Sequence, residues 1–165
     1  MAADATAYPP EYADTTSRLV RAWLLTALID GLFSSCLAAF FYGSTVTRLW
    51  QGVASVLIGA KAFELGLHTA LLGILMHLGV AFTWSAVFLF LVMRIPPVHR
   101  VLDTPYGAVK VAAVYGPLIW LTMSLVVIPL LTHRPPTFNY RWWIQLIGHF
   151  PFVGLPIVAS IARKA

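Results

Sequence analysis

Three ionisable side chains, Asp30, His77 and His149, stand inside long apolar stretches of this sequence. A charged group is costly at the centre of a bilayer, so each of the three is a candidate functional residue. Thr26 and Ser34 lie one helical turn to either side of Asp30, which predicts a polar stripe facing the inside of a helix bundle.

The two histidines are expected at similar depths. His77 lies about eight residues into one apolar stretch and His149 about six into another, and both are counted from the same side. At about 1.5 Å per residue, each imidazole lies roughly 10 Å below that surface. Asp30 should lie a little deeper, with Thr122 of a further stretch near the same level. These four residues form a predicted intramembrane polar layer.

Three interpretations of this layer are open. Two histidines at matched depth on different helices are the minimum for bis-histidine ligation of haem b. Together with Asp30 they also suit a proton relay, because imidazole titrates near physiological pH. The default interpretation is structural, in which the imidazoles hydrogen-bond helix carbonyls and hydroxyls and fix the packing.

A second polar cluster is formed by Lys61, Glu64 and His68, whose spacing of three and four residues places them on one helix face. A metal site would need a third strong ligand, and His77 would point to the opposite side of a continuous helix. We therefore predict a salt-bridged interfacial face and no metal.

Sequence motifs for soluble catalysis are missing. The chain contains no phosphate-binding loop, dinucleotide fingerprint, CxxC or HExxH motif, and no serine elbow. We predict no catalytic residue, although an enzymatic role is not excluded.

Four elements must position the polar layer, and all four are apolar enough to span a bilayer. The chain has 165 residues, of which 59% are hydrophobic and 10% charged, against about 25% charged in soluble domains. A span needs about 20 apolar residues. The predicted spans are residues 22–42, 69–93, 108–131 and 143–162, within one domain of residues 19–165. Residues 1–18 are predicted to be a disordered polar tail.

Residues 49–67 are expected to form an amphipathic helix between the first two spans. Apolar side chains recur there at helical spacing, but Gln51, Lys61 and Glu64 interrupt the stretch. We predict an interfacial or re-entrant helix, with a fifth span as the alternative. The fold class is therefore an all-α integral membrane protein, a four-helix transmembrane bundle.

Prolines mark the third and fourth predicted spans. Pro117 and Pro129 fall in the third, and Pro151 and Pro156 in the fourth. Each removes a backbone hydrogen-bond donor, so both spans should be kinked. Kinks of this kind can open a cavity, but they are also common in bundles that have none.

The basic residues predict the orientation. The net charge is +5, yet Lys and Arg are scattered singly, which argues against nucleic acid as a partner and for the lipid bilayer. On the side of the termini we count seven: Arg18, Arg21, Arg94, Arg100, Lys110, Arg163 and Lys164. The other side has four: Arg48, Lys61, Arg134 and Arg141. Both termini are predicted to be cytoplasmic.

Several short motifs resemble a known group of proteins. They are Gln51 to Ser55, Thr69 to Gly73 with His77, and His149 with Val153 to Ile157. In these the chain resembles a widespread group of uncharacterised bacterial four-span inner-membrane proteins, and more loosely the YagU-like proteins. The resemblance implies the four-span fold and the bacterial inner membrane. It implies no activity, although Asp30 matches a polar site of the group, as do both histidines.

For function, we predict an accessory or interaction subunit of a membrane complex, with a protein partner or a second copy of the chain. Plain outer helix faces and glycine-rich stretches favour close helix approach. One alternative is a small proton-linked permease that uses Asp30 and the intramembrane histidines. Another is a redox protein that binds haem b or quinone between His77 and His149.

Overall fold

The structure, a computed structural model, describes residues 10–162, and throughout that range its regular elements are helical without a strand. The helices are α1 (Pro10–Cys36), α2 (Val46–Ile58), α3 (Leu67–Phe90), α4 (Pro96–Leu102), α5 (Gly107–Thr122), α6 (Ile128–Thr132), α7 (Tyr140–His149) and α8 (Leu155–Ile161).

Four continuous helical stretches are long and apolar enough to cross a membrane. Span 1 is Asp14–Phe41, span 2 is Leu67–Arg94, span 3 is Gly107–Thr132 and span 4 is Tyr140–Ile161. They follow one another antiparallel around a common interior. The prediction of an all-α, four-span membrane bundle is confirmed. Each helix begins before the predicted stretch, by one to eight residues, whereas spans 1 and 4 end one residue earlier than predicted.

Three of the spans contain a wide π-helical turn. These turns are Leu37–Phe41 in span 1, Met123–Val127 in span 3 and Phe150–Gly154 in span 4. In the last two spans the irregularity coincides with prolines that cannot donate a backbone hydrogen bond, Pro129 and Pro156. Spans 3 and 4 thus have irregular turns next to these prolines, whereas Pro117 lies within the regular helix α5. The kinks themselves stay a prediction.

The predicted disordered tail is too long. Residues 1–9 lie outside the described part of the chain, but α1 begins at Pro10, so residues 10–18 are helical. Asp14 and Arg18 are four residues apart and form an ion pair of 2.7 Å, which stabilises this first part of the helix. Arg18 also donates a hydrogen bond to the carbonyl of Ile161, tying α1 to the end of span 4.

The amphipathic segment is not one helix over residues 49–67. Thr45 caps α2 by accepting a hydrogen bond from the backbone N–H of Arg48, and α2 ends at Gly59, whose φ is +67°. A short 3₁₀ turn, Gly59–Phe63, follows. The 13 residues of α2 extend about 20 Å, which is too short for a fifth span across a hydrocarbon core of about 30 Å.

The segment after span 1 packs on span 2 and does not lie free on a surface. The backbone carbonyl of Trp50 rests against Gly73, where a Cβ atom would lie 1.9 Å from the oxygen. Buried Gln51 donates to the carbonyl of Gly66 at 3.0 Å, and the buried Thr69 hydroxyl lies 2.6 Å from the carbonyl of Ala62. These contacts make the segment a hairpin with α3.

This hairpin gives a first prediction. Replacing Thr69 by valine should lower the melting temperature in detergent by several degrees, because it leaves the buried Ala62 carbonyl without its partner at a cost of about 1–3 kcal/mol. Thr83→Val is the matched control, since the exposed Thr83 hydroxyl bonds only to Gly79 of its own helix. Equal melting temperatures for the two variants would show that the hairpin contacts do not stabilise the fold.

The two ends of the bundle differ. We call the end at Asp14, Arg94, Gly107 and Ile161 the terminal end, and the opposite end the mouth end. The hydrophobic core lies toward the terminal end and comprises Ala22, Phe88, Ala112, Tyr115, Ile119, Val153, Ile157, Val158 and Ile161. Many large apolar side chains along the spans, such as Leu28, Leu32 and Leu75, face outward, as expected for a surface in contact with lipid. The mouth end is left more open.

Candidate functional site

A cavity of about 620 Å³ occupies the mouth half of the bundle. All four spans and α2 contribute to its wall, and it ends near the hydrophobic core at Val153 and Ile157. The polar side chains along it are Thr26, Asp30, Ser34, Tyr42, Ser44, Arg48, Trp50, His77, Trp84, Trp120, Arg141, Gln145 and His149.

Asp30 and His77 face each other inside this cavity. The Oδ2 atom of Asp30 lies 3.8 Å from Nδ1 of His77, and their side chains are 14% and 17% exposed. The other ring nitrogen, Nε2, lies 3.0 Å from the carbonyl of Ala27, so it is the nitrogen that donates. Nδ1 is then left to face the carboxyl group of Asp30, at a distance longer than a direct hydrogen bond.

His149 is the third member of this polar layer. It ends α7, is 8% exposed, and its Nδ1 donates to the carbonyl of Gln145 at 2.7 Å. Like Asp30, it lines the cavity. The approach depends on Gly148, where a Cβ atom would lie 2.5 Å from the ring of Phe33. Span 4 therefore packs closely against span 1 at this position.

The aromatic walls hold the two imidazoles in place. Trp50 of α2 lies against His77 with ring centroids 5.2 Å apart, and Trp120 of α5 lies against His149 at 4.9 Å. The indoles restrict both rings to the orientations described above.

Several polar atoms of the cavity wall have no hydrogen-bond partner within the described residues. They are Oδ1 of Asp30, Oγ1 of Thr26, the hydroxyl of Tyr42 and Nε1 of Trp120, and all four are buried. Buried polar groups in folded proteins are nearly always satisfied by protein, water or a ligand. This concentration around one cavity indicates a site that holds polar molecules.

The mouth of the cavity is cationic. Arg141 lies over the Tyr42 ring at 4.5 Å and donates to the Tyr42 carbonyl at 3.2 Å, while Arg48 lies over the Phe63 ring at 4.9 Å. Burial raises the pKa of the Tyr42 hydroxyl, although the charge of Arg141 opposes this effect. Tyr42 therefore remains a neutral donor, and positive charge at the entrance is separated from the single carboxyl group deeper inside.

Thr122 does not belong to the polar layer. Its hydroxyl donates to the carbonyl of Leu118 on its own helix at 2.8 Å. The cavity face of span 3 is instead formed by Ile119, Trp120 and Met123. At about 100° per residue, Thr122 lies to one side of that face. Its predicted depth matches that of Asp30, but depth alone does not predict that a side chain faces the cavity.

The second predicted cluster is also not formed. Lys61 lies in the 3₁₀ turn, Glu64 in the following loop and His68 in the first turn of α3, with Gly66 at a φ of +63° between them. All three side chains are exposed. Over residues 10–162 no ion pair joins them, because the glycine turns break the continuous helix on which the prediction rested.

Sequence reasoning missed other residues of the site. The sequence connects none of Trp50, Arg48, Arg141 and Gln145 with Asp30, although all four line the cavity. Gln145 carries a usable signal, since it precedes His149 by one helical turn and donates to Ser34 at 3.4 Å. Trp50 could not be placed without knowing that α2 folds back on span 2.

The arrangement of the site bears on whether it could hold a metal ion or haem b. Within the described residues no group of three His, Cys, Asp or Glu side chains could hold a metal ion. For bis-histidine haem, His149 has its Nε2 available, but His77 uses Nε2 on the Ala27 carbonyl and directs Nδ1 to Asp30. His77 is thus oriented toward a carboxyl group and not toward an iron shared with His149.

Access to the cavity can be tested by cysteine labelling. In a Cys36→Ala background, Ser34→Cys should react with a charged methanethiosulfonate reagent at least about tenfold faster than Ser85→Cys, because Ser34 lines the cavity and Ser85 is fully buried outside it. Equal rates would mean that the cavity is not open to water. Applying the reagent to one side of sealed vesicles also identifies the side that the mouth faces.

Comparison with known proteins gives no relative for this chain: no family model, no curated protein and no solved structure matches it. The likeness to YagU-like proteins therefore stays a prediction. The function has to be argued from the cavity itself.

Proposed function

We propose that the protein is a small proton-linked carrier that takes a zwitterionic solute into the cavity at the mouth end. The observation that carries the proposal is the carboxyl group of Asp30, buried in a cavity of about 620 Å³ and facing Nδ1 of His77 at 3.8 Å. A carboxyl group buried beside a histidine can exchange its proton for the cationic group of a solute.

The charges along the cavity favour a zwitterion. A solute ammonium group would bind Asp30 and the indole faces of Trp50 and Trp120, which attract cations. A carboxylate at the other end of the solute would meet Arg48 and Arg141 at the mouth. A simple cation would be repelled by these two arginines at the mouth, and a simple anion would be repelled by the Asp30 carboxylate deeper inside. Only a solute with both charges matches the mouth and the inner end of the cavity.

The proposed coupling between solute and proton movement depends on one proton held by Asp30 and His77. With the cavity empty, one proton held by Asp30 and His77 offsets the buried negative charge. When an ammonium group binds to the Asp30 carboxylate, that proton is no longer needed there and leaves through the cavity. Solute and proton then occupy the site alternately, which is the requirement for exchange transport.

Release on the other side requires the packed terminal end to open. The π-helical turns of spans 1, 3 and 4 lie in the mouth half or next to the cavity, and such turns are frequent where helices bend for function. We propose that bending at these turns closes the mouth and separates the core residues below Asp30.

The test uses purified protein in liposomes that contain a trapped pH-sensitive dye. A panel of dipeptides and betaines is compared with organic monocations and monocarboxylates, with protein-free liposomes as the control. The proposal expects zwitterions alone to drive proton movement. If no compound moves protons, the carrier function is wrong; if monocations do so equally well, the role of Arg48 and Arg141 in selecting the solute is wrong.

The accessory-subunit prediction is a separate proposal on which no contact of the described residues bears. The exposed apolar side chains are accounted for by lipid and so do not favour a protein partner. A partner that co-purifies reproducibly with a protein inactive in the liposome assay would favour that role.

We also propose the bacterial inner membrane as the location, with both termini in the cytoplasm. The proposal rests on the larger number of basic residues on the side of the termini and on the resemblance described above. Arg163 and Lys164 contribute to that count and lie outside the described residues. In this orientation the mouth faces away from the cytoplasm, which one-sided labelling of Ser34→Cys tests.

A further inference from the structure

A second, smaller pocket of about 330 Å³ opens beside the central cavity. It lies at the mouth end between α2, the end of span 3 and the loop that leads into span 4. Val56, Trp120 and Ile128 border both spaces. The residues around the smaller pocket are Ser55, Val56, Trp120, Ser124, Ile128, Pro129, Thr132, Arg134, Pro135, Pro136, Thr137 and Trp142.

Three buried polar atoms on the residues around this pocket lack a partner within the described part of the chain. They are Nε1 of Trp120, Nε1 of Trp142 and Oγ of Ser124. Trp142 is 8% exposed and Ser124 is 6% exposed. Two of the three are indole N–H groups, which can only donate, and the third is a hydroxyl that can donate. A ligand that satisfies all three must present acceptor oxygens.

The remaining polar groups favour negative charge. Arg134 is exposed at the rim, and none of the ion pairs formed by residues 10–162 involves it. The hydroxyl protons of Ser55 and Thr132 are already donated to the carbonyls of Gly52 and Ile128. No carboxyl side chain of the described residues lines the pocket. Its chemistry is therefore that of an anion site with one cation and several donors.

We propose that this pocket binds the phosphate group of an anionic phospholipid. Phosphate oxygens accept from N–H, O–H and guanidinium donors at once. A lipid is favoured over a free anion because prolines and Val56 form much of the wall, and because exposed Leu130 and Leu131 beside it offer a surface for the acyl chains. The proposal does not depend on the carrier function.

The test measures lipid binding by native mass spectrometry of the full chain in mild detergent. Wild-type protein is titrated with phosphatidylglycerol, with phosphatidylcholine and with inorganic phosphate. We expect preferential retention of phosphatidylglycerol, weakened about tenfold in the Trp142→Phe and Ser124→Ala double variant, because each change removes a donor with little loss of shape. Trp143→Phe is the matched control, since the neighbouring Trp143 is 54% exposed and outside the pocket.

Three outcomes would overturn the proposal. Equal binding of both lipids would exclude recognition of the anionic head group. Inorganic phosphate that binds as tightly as the lipid would identify a free anion as the ligand. Unchanged binding in a double variant with the wild-type melting temperature would place the lipid elsewhere. Asp30→Asn should leave lipid binding intact, so a failure of the carrier proposal can be distinguished from a failure of this one.

Discussion

Asp30→Asn should abolish solute-driven proton movement in liposomes, leaving less than about a tenth of the wild-type rate. Asparagine has almost the same shape as aspartate and can still fill the site opposite His77. It cannot carry a proton or balance the charge of a bound ammonium group. The loss should therefore appear in transport, measured with the trapped dye, while the melting temperature stays near that of the wild type.

Controls from the same cavity separate chemistry from shape. Thr26→Val changes another cavity residue of span 1 and removes no ionisable group, so transport should fall by no more than a few-fold. His77→Gln keeps a donor for the Ala27 carbonyl but removes the site that shares the proton, and a large loss is expected there too. Wild-type rates in Asp30→Asn would contradict the carrier proposal.

Gly116→Leu should prevent the protein from folding into its normal bundle. At this position of span 3 a Cβ atom would lie 2.1 Å from the backbone oxygen of His149, so spans 3 and 4 cannot approach with a side chain between them. Backbone atoms of a neighbouring helix cannot move aside as a flexible side chain can. We expect a loss of monodisperse protein in detergent, or a fall in the melting temperature of at least about 10 °C, consistent with an overpacking cost above about 2 kcal/mol.

Gly79→Leu provides the matched comparison for this effect. Gly79 lies in span 2, is exposed, and has no neighbouring atom within 4 Å of the point that a Cβ atom would occupy. The same substitution should therefore leave the melting temperature unchanged or raise it, because leucine favours the helix more than glycine does. Equal destabilisation by the two leucines would mean that the close approach at Gly116 does not hold the helices together.

The sequence was sufficient to predict the four spans, because the length and hydropathy required to cross a bilayer leave few alternatives. It also singled out Asp30, His77 and His149. A costly ionisable group in an apolar stretch is a strong signal, and its helix places it on the inner face. The structure brings these three residues to one cavity.

Other features could not be predicted because they depend on how separate elements meet. Gly59 and Gly66 adopt positive φ values that break the helix predicted over residues 49–67. The presence of a glycine does not by itself predict a positive φ, because glycine also occurs within helices. Thr122 was chosen by depth, although rotation about the helix axis turns it away from the cavity. Trp50 enters the site only because Gly73 lets α2 pack closely on span 2.

The separation of cavity and core along the bundle has an electrical consequence. When water fills the cavity from the mouth, which the labelling of Ser34→Cys tests, the potential of the mouth side extends down to Asp30. Most of the membrane voltage then falls across the packed residues between Asp30 and the terminal end. A unit charge that crosses the whole voltage changes its energy by about 2.3 kcal/mol per 100 mV. Binding from the mouth should therefore be nearly independent of voltage, whereas passage of a charge beyond Phe88 and Ile157 should depend on it strongly.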